Sequence, residues 1–534
     1  MPHLSTDTPF SAPRDRRDGT RHRAIGHRPA RRGRTTLGWV VALALTLTAS
    51  PLAAAPSPAE DVAFLDALTW GVSPSSFVEL RAKGRDAWLR EQLHPPVGMR
   101  LPHEAEAAVA ASMPRDSLYE RTLYLESFKR AADSEPDPEA RKNAHQSFQL
   151  LLQGAAQQAT SATILRALYS PDQVRERLTW FWFNRFNVHQ GKAMIRVGIG
   201  DYVDTAIRPH ALGRFRDLLE ATLRHPAMLR YLDNAENAAG HINENYAREI
   251  MELHTMGVGS GYTQADVEAL ARILTGVGLA PNREVIKVRP EHQADLVRDG
   301  VFVFNPNRHD YGDKVFLGRE IHGRGWAEVE EALDLIARAP ATARNVTRAL
   351  ASYYLGHPPD DALSRKLAET FTRTDGDIAA VMDALVHDPA FGTSLTSQFK
   401  DPMRFVLSAL RMAYDGRVIL NTGPVNGWLH RLGEGLFART TPDGYPIDAA
   451  AWAGPGQFAA RFEVALQIGS GPGGLFKPPA GDGPDVPAYP LLANGLYFTA
   501  LEGSLSPATR SVLAQAISPQ DWNTLYLASP EFAR

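Results

Sequence analysis

Apolar residues recur every three to four positions through nearly all of the chain after residue 56, which commits it to packing helices against helices. In AEDVAFLDALTWGVSPSSFVELRAKGRDAWLREQLHPP the period breaks at Ser73-Pro74 and Gly84 and stops at Pro95-Pro96, giving two or three short helices. The spacing predicts longer helices around Arg115–Ala132 and Asp137–Leu168. An aromatic-rich helix is expected from the cap Ser170-Pro171, and RFRDLLEATLRHPAMLRYLD is another amphipathic segment. Helices resume at Trp326 and continue through GDIAAVMDALVHDPAF, and no repeat of fixed period runs through them.

The clearest β signal is DGVFVFNPNRHDYGDKVFLGREI, where Val301–Phe304 and Val315–Leu317 flank a polar loop and read as a small hairpin. The expected fold is mainly α, a multi-helix bundle-like architecture with one small β-hairpin element. At 534 residues the chain exceeds what one core usually serves, so several packed regions are expected. The reading divides it into a signal peptide or N-terminal anchor (1–55), an N-terminal helical region (56–290) and a hairpin insert (291–322). A C-terminal helical region (323–468), a Gly/Pro-rich linker (469–490) and a helical tail (491–534) follow.

The first 55 residues hold nine Arg and three Asp, a net of +6, so the remainder carries −3 − 6 = −9. That mildly acidic body lacks the basic footprint of a nucleic-acid binder. Arg31, Arg32 and Arg34 precede the apolar run LGWVVALALTLTA (Leu37–Ala49), too short for an ordinary span of about 20 residues but suited to a signal h-region. Ala53 and Ala55 are small residues for a peptidase, although Pro56 disfavours cutting after Ala55. The expectation is an exported, periplasmic or secreted, bacterial protein, touching the membrane only through this segment if it is not removed. There is no cysteine, which excludes disulfides, thiolate catalysis and cysteine-ligated metal.

NENYAREIMELHTMGVGSGYTQADVEALARILTGVGL (Asn243–Leu279) is the densest stretch of acids, His, Gly and capping residues. Asn243 caps a helix from Glu244 to about Thr255, Gly257 takes its left-handed end, and Thr263 with Asp266 caps the next helix. Glu244, Arg248 and Glu252 form an i, i+4, i+8 ladder, which reads most simply as an ion-pair row. His254 falls on the apolar arc, as a buried histidine bonded to a carbonyl. Glu249 and Glu252, three apart, can converge as a catalytic acid/base pair. Upstream, Asp233 and Glu236 lie in an oxygen-rich loop suited to Ca²⁺ or Mg²⁺, though the regular calcium-loop spacing is absent and a capped polar turn reads as well. His309 and Asp310 sit in the loop NPNRHDYGDK, where a His-Asp pair can bind a divalent metal, Zn²⁺ included, act as a base, or simply close a turn.

Several chemistries lack their motifs. There is no His-Glu-x-x-His, no Gly-x-Ser-x-Gly and no phosphate loop. Glu91-x-x-His94 stands alone where a di-iron bundle needs two such pairs. Gly469-Ser-Gly471-Pro-Gly-Gly474 matches the dinucleotide pattern but leads into Leu-Phe-Lys-Pro-Pro rather than a helix. Trp180, Phe181, Trp182, Phe183 and Phe186 cover several faces of one helix and read as core rather than as a sugar-stacking surface.

The signature stretch, with RPHALGRFRDLLEATLRHPAMLRYLD before it and HDYGDKVFLGREI, KDPMRFVLSALR and TPDGYP after it, resembles the bacterial family called domain of unknown function 1800. The resemblance runs from about Asp61 to about Gly471. It implies a large, mostly helical, exported protein and no defined activity. Members often carry one or two His in the aromatic helix, where Phe183 and Arg185 stand here. They are often encoded beside a protein resembling phosphatases or sulfatases, which implies an exported partner of that kind. Two functional expectations follow. One is a metal- or carboxylate-dependent, hydrolase-like enzyme acting on an envelope or extracellular polymer, centred on Glu249 and Glu252 with Asp233, Glu236, His309 and Asp310 around a divalent cation. The other is a non-catalytic helical scaffold for the exported partner.

Overall fold

Ser or Asp followed by Pro starts helix after helix. Ser57-Pro58, Ser73-Pro74, Asp137-Pro138, Asp401-Pro402, Ser506-Pro507 and Ser518-Pro519 each place an accepting side chain at the N-cap and a preset φ at the first helical residue. The computed structural model describes residues 56–96, 100–395, 397–471, 473–477 and 488–534. The expected signal segment, and much of the expected Gly/Pro linker, lie outside these. Helix makes up 62 % of the described residues and strand 4 %, so the class is mainly α as expected. The longest helix is Pro138–Tyr169, at 32 residues. Asp137 accepts from the Ala140 N–H at 2.8 Å at its start, and the Ser170-Pro171 turn ends it. The aromatic helix begins two residues beyond that turn, at Gln173, and runs to Arg185.

The β part differs from the single hairpin expected. Strands β1 (Val277–Leu279), β2 (Val297–Asp299) and β3 (Phe302–Phe304) form an antiparallel sheet in the order β1-β3-β2, with Val277 opposite Phe304. Strands β4 (Lys314–Phe316) and β5 (Arg319–Ile321) form a second, two-stranded sheet. The two strands read as partners therefore belong to different sheets. Phe302, Val303 and Phe304 are all buried, and such a strand needs neighbours on both edges. The end of the signature stretch supplies one of them.

Residues 56–534 form one compact unit. One apolar cluster runs from Val62 through Trp182, Leu270, Leu333 and Phe405 to Phe532, so the boundaries expected at 291, 323, 469 and 491 fall within a shared core. The first helices close against residues 400–415: Arg404 donates to the Asp66 carboxylate at 3.3 Å, and Ser75 Oγ donates to Asp415 at 2.7 Å. Gly71, at φ +114°, lies so near Ser408 that a Cβ would come within 2.3 Å of that residue's Cβ. Among the described residues no helix is long and apolar enough to cross a membrane.

Candidate functional site

The signature helix is regular only over Asn245–Glu249 and widens into a π-helical turn over Ile250–His254. Its cap is shifted by one residue: Glu244 occupies the N-cap, and the Asn243 side chain accepts from the Asn245 N–H at 3.0 Å. Gly257, at φ +93°, closes the turn by donating its N–H to Met251 O at 3.0 Å. Thr263 and Asp266 form the expected capping box at Gln264–Ile273, and Val267, Leu270, Ala271, Ile273 and Leu274 are buried.

The ladder is an ion-pair row. Arg248 lies 2.9 Å from Glu244 and 3.5 Å from Glu252. Glu249, on the neighbouring arc, is half-buried and makes no hydrogen bond or salt bridge among the described residues. Burial pushes its carboxyl above the usual range, and the Glu252 and Asp443 carboxylates push it further against the counter-effect of Arg248. Asp443 comes from the distant TPDGYP loop. Arg439 holds both its oxygens at 3.1 Å, and Thr441 Oγ1 donates to it as well. That loop is fastened to the aromatic helix and the turn after it. Asn184 donates to Tyr445 O at 2.8 Å and accepts from the Tyr445 N–H at 2.6 Å, and Asn187 donates to Thr441 O at 2.8 Å. Gly444, at φ +74°, has the Asn184 carbonyl 2.1 Å from where a Cβ would stand.

Tyr231 donates to Thr440 O at 2.9 Å, and its hydroxyl is pushed up to about 12 by burial, then by Asp443 and Glu249. Burial and the Glu252 carboxylate also raise the Tyr262 hydroxyl. Glu249, Glu252, Asp443, Tyr231 and Tyr262 thus form one patch, in which, among the described residues, Glu249 alone of the three carboxylates lacks a partner. Sequence reasoning found the two glutamates. It missed Asp443, whose only signal was its place in a second family-like motif.

The four residues expected to bind metal do not come together as a ligand set. Asp233 pairs with Lys192 at 2.7 Å, and Glu236 is exposed. The Asn side chains of the same loop are structural, Asn234 reaching Val277 O and Asn237 reaching Ala271 O, both at 2.8 Å. Asp310 forms a forked pair with Arg272, at 2.7 and 3.3 Å. His309 is buried with both ring nitrogens engaged, Nδ1 2.8 Å from Thr275 O and Nε2 2.6 Å from Glu328, so both are already committed to partners within the protein. Lys314 Nζ lies 2.5 Å from the other Glu328 oxygen, and all three of these side chains are 0 % exposed. Burial works against ionising Glu328, yet hydrogen bonds from His309 and Lys314 hold it below the usual carboxylate range. Among the described residues, the one group of three with ligand atoms mutually within 4.8 Å is Asp313, Glu320 and His322, all exposed. Glu320 and His322, two apart at the end of β5, were the overlooked signal.

His254 is buried as expected, but neither ring nitrogen has a partner among the described residues, and its pKa is pulled down to about 3 by burial and by Arg185. The carbonyl contact runs the other way, with Arg185 Nε donating to His254 O at 3.0 Å. The wide turn packs the imidazole against Phe186, with ring centroids 4.9 Å apart. The aromatic cluster is core, Phe183 stacking on Trp180 at 5.7 Å.

The family described as "Protein of unknown function (DUF1800)" matches residues 63–534, reaching past Gly471 to the end of the chain. No curated protein and no solved structure matches significantly. A match over nearly the whole described body, helical signature and TPDGYP loop alike, makes this chain a member of the DUF1800 family.

Proposed function

We propose that the protein is an exported bacterial enzyme of the hydrolase type, acting on an envelope or extracellular polymer through Glu249 as proton donor. The carrying observation is the half-buried, unpartnered Glu249 carboxyl, raised by burial and by two flanking carboxylates. Environments that separate the pKa values of neighbouring carboxyls assign an acid and a base. Glu249, whose carboxyl is raised by burial and by its acidic neighbours, is assigned as the acid, and Glu252, ion-paired with Arg248, as its partner. Tyr231 and Tyr262 present hydroxyls beside them. Glu249, Glu252 and Tyr262 are only partly buried, which suits a polymer chain lying across the patch, and the Arg-rich leader with its apolar run supports export. Asp313, Glu320 and His322 are the residues whose spacing fits a divalent cation, and no proton transfer is routed through them.

The test compares native protein and Glu249→Gln for release of soluble fragments from isolated envelope polymer. The variant is expected to lose about 10²–10⁴-fold in rate. The native rate is expected to fall as pH rises through the raised Glu249 pKa, because a donor must carry its proton. Equal release by both proteins overturns the assignment.

The scaffold reading has its own observation. Phe458, Phe462 and Leu466, at i, i+4 and i+8 on Pro455–Gly469, are each about half exposed, at 50 %, 49 % and 49 %. Such a stripe favours a protein partner, and the exported phosphatase- or sulfatase-like protein is the candidate. Co-purification that Phe462→Glu abolishes, with fragment release absent from the native protein, would decide for it.

A further inference from the structure

A cavity of about 330 Å³ lies between the start of Pro74–Lys83, the Leu168–Gln173 turn and the end of Pro402–Ala413, and shares no residue with the Glu249 patch. Its walls are fixed from both ends of the sequence. Asp415 accepts from the Ser75 N–H and from Ser75 Oγ, each at 2.7 Å. Tyr169 donates to Arg417 O at 3.1 Å and accepts from the Ile419 N–H at 2.8 Å. Trp88, Leu168, Pro171, Leu410 and Val418 supply an apolar side.

Arg411 supplies the charge. Of the five N–H donors of a guanidinium, it commits Nε to Gly71 O at 2.8 Å and one Nη1 hydrogen to Leu168 O. No further hydrogen bond holds it among the described residues, so Nη2 and the second Nη1 hydrogen remain as a fork on the cavity wall. Such a fork matches a carboxylate in shape and charge.

We propose that this cavity binds a small organic carboxylate, its anionic end on the free edge of Arg411 and its apolar body against Trp88 and Leu410. The charge balance selects a monoanion. Two carboxylates already line the wall, Asp415 with Ser75 as its donor and Glu79 paired with Lys83, against Arg411 and Arg417, whose guanidinium lies over the Phe476 ring at 4.3 Å. A phosphate dianion would bring two charges to a wall that already carries the Asp415 and Glu79 carboxylates. Burial pulls the Arg411 guanidinium down to about 10, against the pull of Asp415, and a bound anion relieves that cost. The volume lies at the small end of ligand pockets.

The experiment is calorimetric titration of the full chain with N-acetyl-L-leucine, N-acetyl-L-leucinamide and the peptide Ala-Ala-Leu with a free C-terminus. The acid is expected to bind with a dissociation constant of about 1 mM or tighter and the amide at least about tenfold more weakly. Binding of the tripeptide as well identifies peptide C-termini as a source of the carboxylate, and its failure to bind identifies free acids. Arg411 also holds two backbone carbonyls, so its removal can cost folding; Val418→Trp fills the cavity while leaving Arg411 in place. That variant is expected to keep its melting temperature and lose the acid by about tenfold or more. No heat from the acid, equal binding of acid and amide, or undiminished binding by Val418→Trp each overturns the proposal.

Discussion

His309, Glu328 and Lys314 on one side, and Glu249, Glu252 and Asp443 on the other, are two clusters of ionisable side chains that each include glutamate and end in opposite states. In the first group every side chain is wholly buried, and each carboxylate oxygen of Glu328 meets a nitrogen at 2.5–2.6 Å. The backbone N–H groups of Arg324 and Gly325 also donate to Glu328, at 3.0 and 3.2 Å. In the second group Glu252 and Asp443 are each paired with an arginine, and Glu249 is left half-buried, with its carboxyl raised. Density of polar residues does not separate a strut from a site. Saturation of their hydrogen-bonding capacity does.

The comparison is broken most directly at Glu328. Glu328→Gln leaves the Lys314 ammonium buried without its counter-charge, and loss of one partner of a buried pair costs about 3–5 kcal/mol. Urea unfolding should show that loss at neutral pH, and a change below about 1 kcal/mol would mean the cluster is hydrated and open. The sign with pH follows from the lowered pKa. The stabilisation is complete above the unfolded-state pKa of a glutamate and disappears as pH falls through the lower folded value.

The capping box offers a smaller and purely local effect. Thr263→Ala removes the side chain that accepts from the Asp266 N–H at 3.3 Å and donates to the Asp266 carboxylate at 2.7 Å. It should cost about 1 kcal/mol in the same unfolding experiment. A cost like that of Glu328→Gln would show that the signature hairpin is held by more than local rules.

That hairpin marks where the sequence could be read and where it could not. Thr263, Asp266, Gly257 and the buried face of the second helix follow from contacts within a few residues, so caps and periodicity were sufficient. Val277–Leu279 ends the same stretch, yet its partner is Phe302–Phe304, more than twenty residues on. No local pattern distinguishes that pairing from a hairpin with residues 315–317. The site divides the same way. Glu249 and Glu252 stood out by spacing, whereas Asp443 reaches them only because Asn184 and Asn187 tie its loop to the aromatic helix. His309 looked like a ligand because Glu328, nineteen residues on, was not visible as its partner.

His254 sharpens the contrast from the unsaturated side. Its ring nitrogens are buried without partners among the described residues, so an apolar replacement removes a desolvation cost rather than an interaction. His254→Leu should leave stability unchanged or raise it by up to about 1 kcal/mol. A loss of several kcal/mol, measured by thermal unfolding, would place an ordered partner beside the imidazole.

The smallest stability effect is expected at Glu249, and its direction matters more than its size. A carboxyl whose folded pKa lies above its unfolded value binds more protons when folded, so its contribution is fully present at low pH and lost as pH rises through the folded pKa. Glu249→Gln removes the charge that Glu252 and Asp443 repel. The variant should therefore match native stability below the unfolded pKa of glutamate and equal or slightly exceed it at neutral pH, by about 0.5 kcal/mol or less. Unfolding curves collected across that interval would show the two proteins diverging in favour of the variant. If Glu249→Gln were instead less stable at neutral pH, Glu249 would have a partner in the folded state, and the distinction between the saturated and unsaturated clusters would fail at the residue on which it rests.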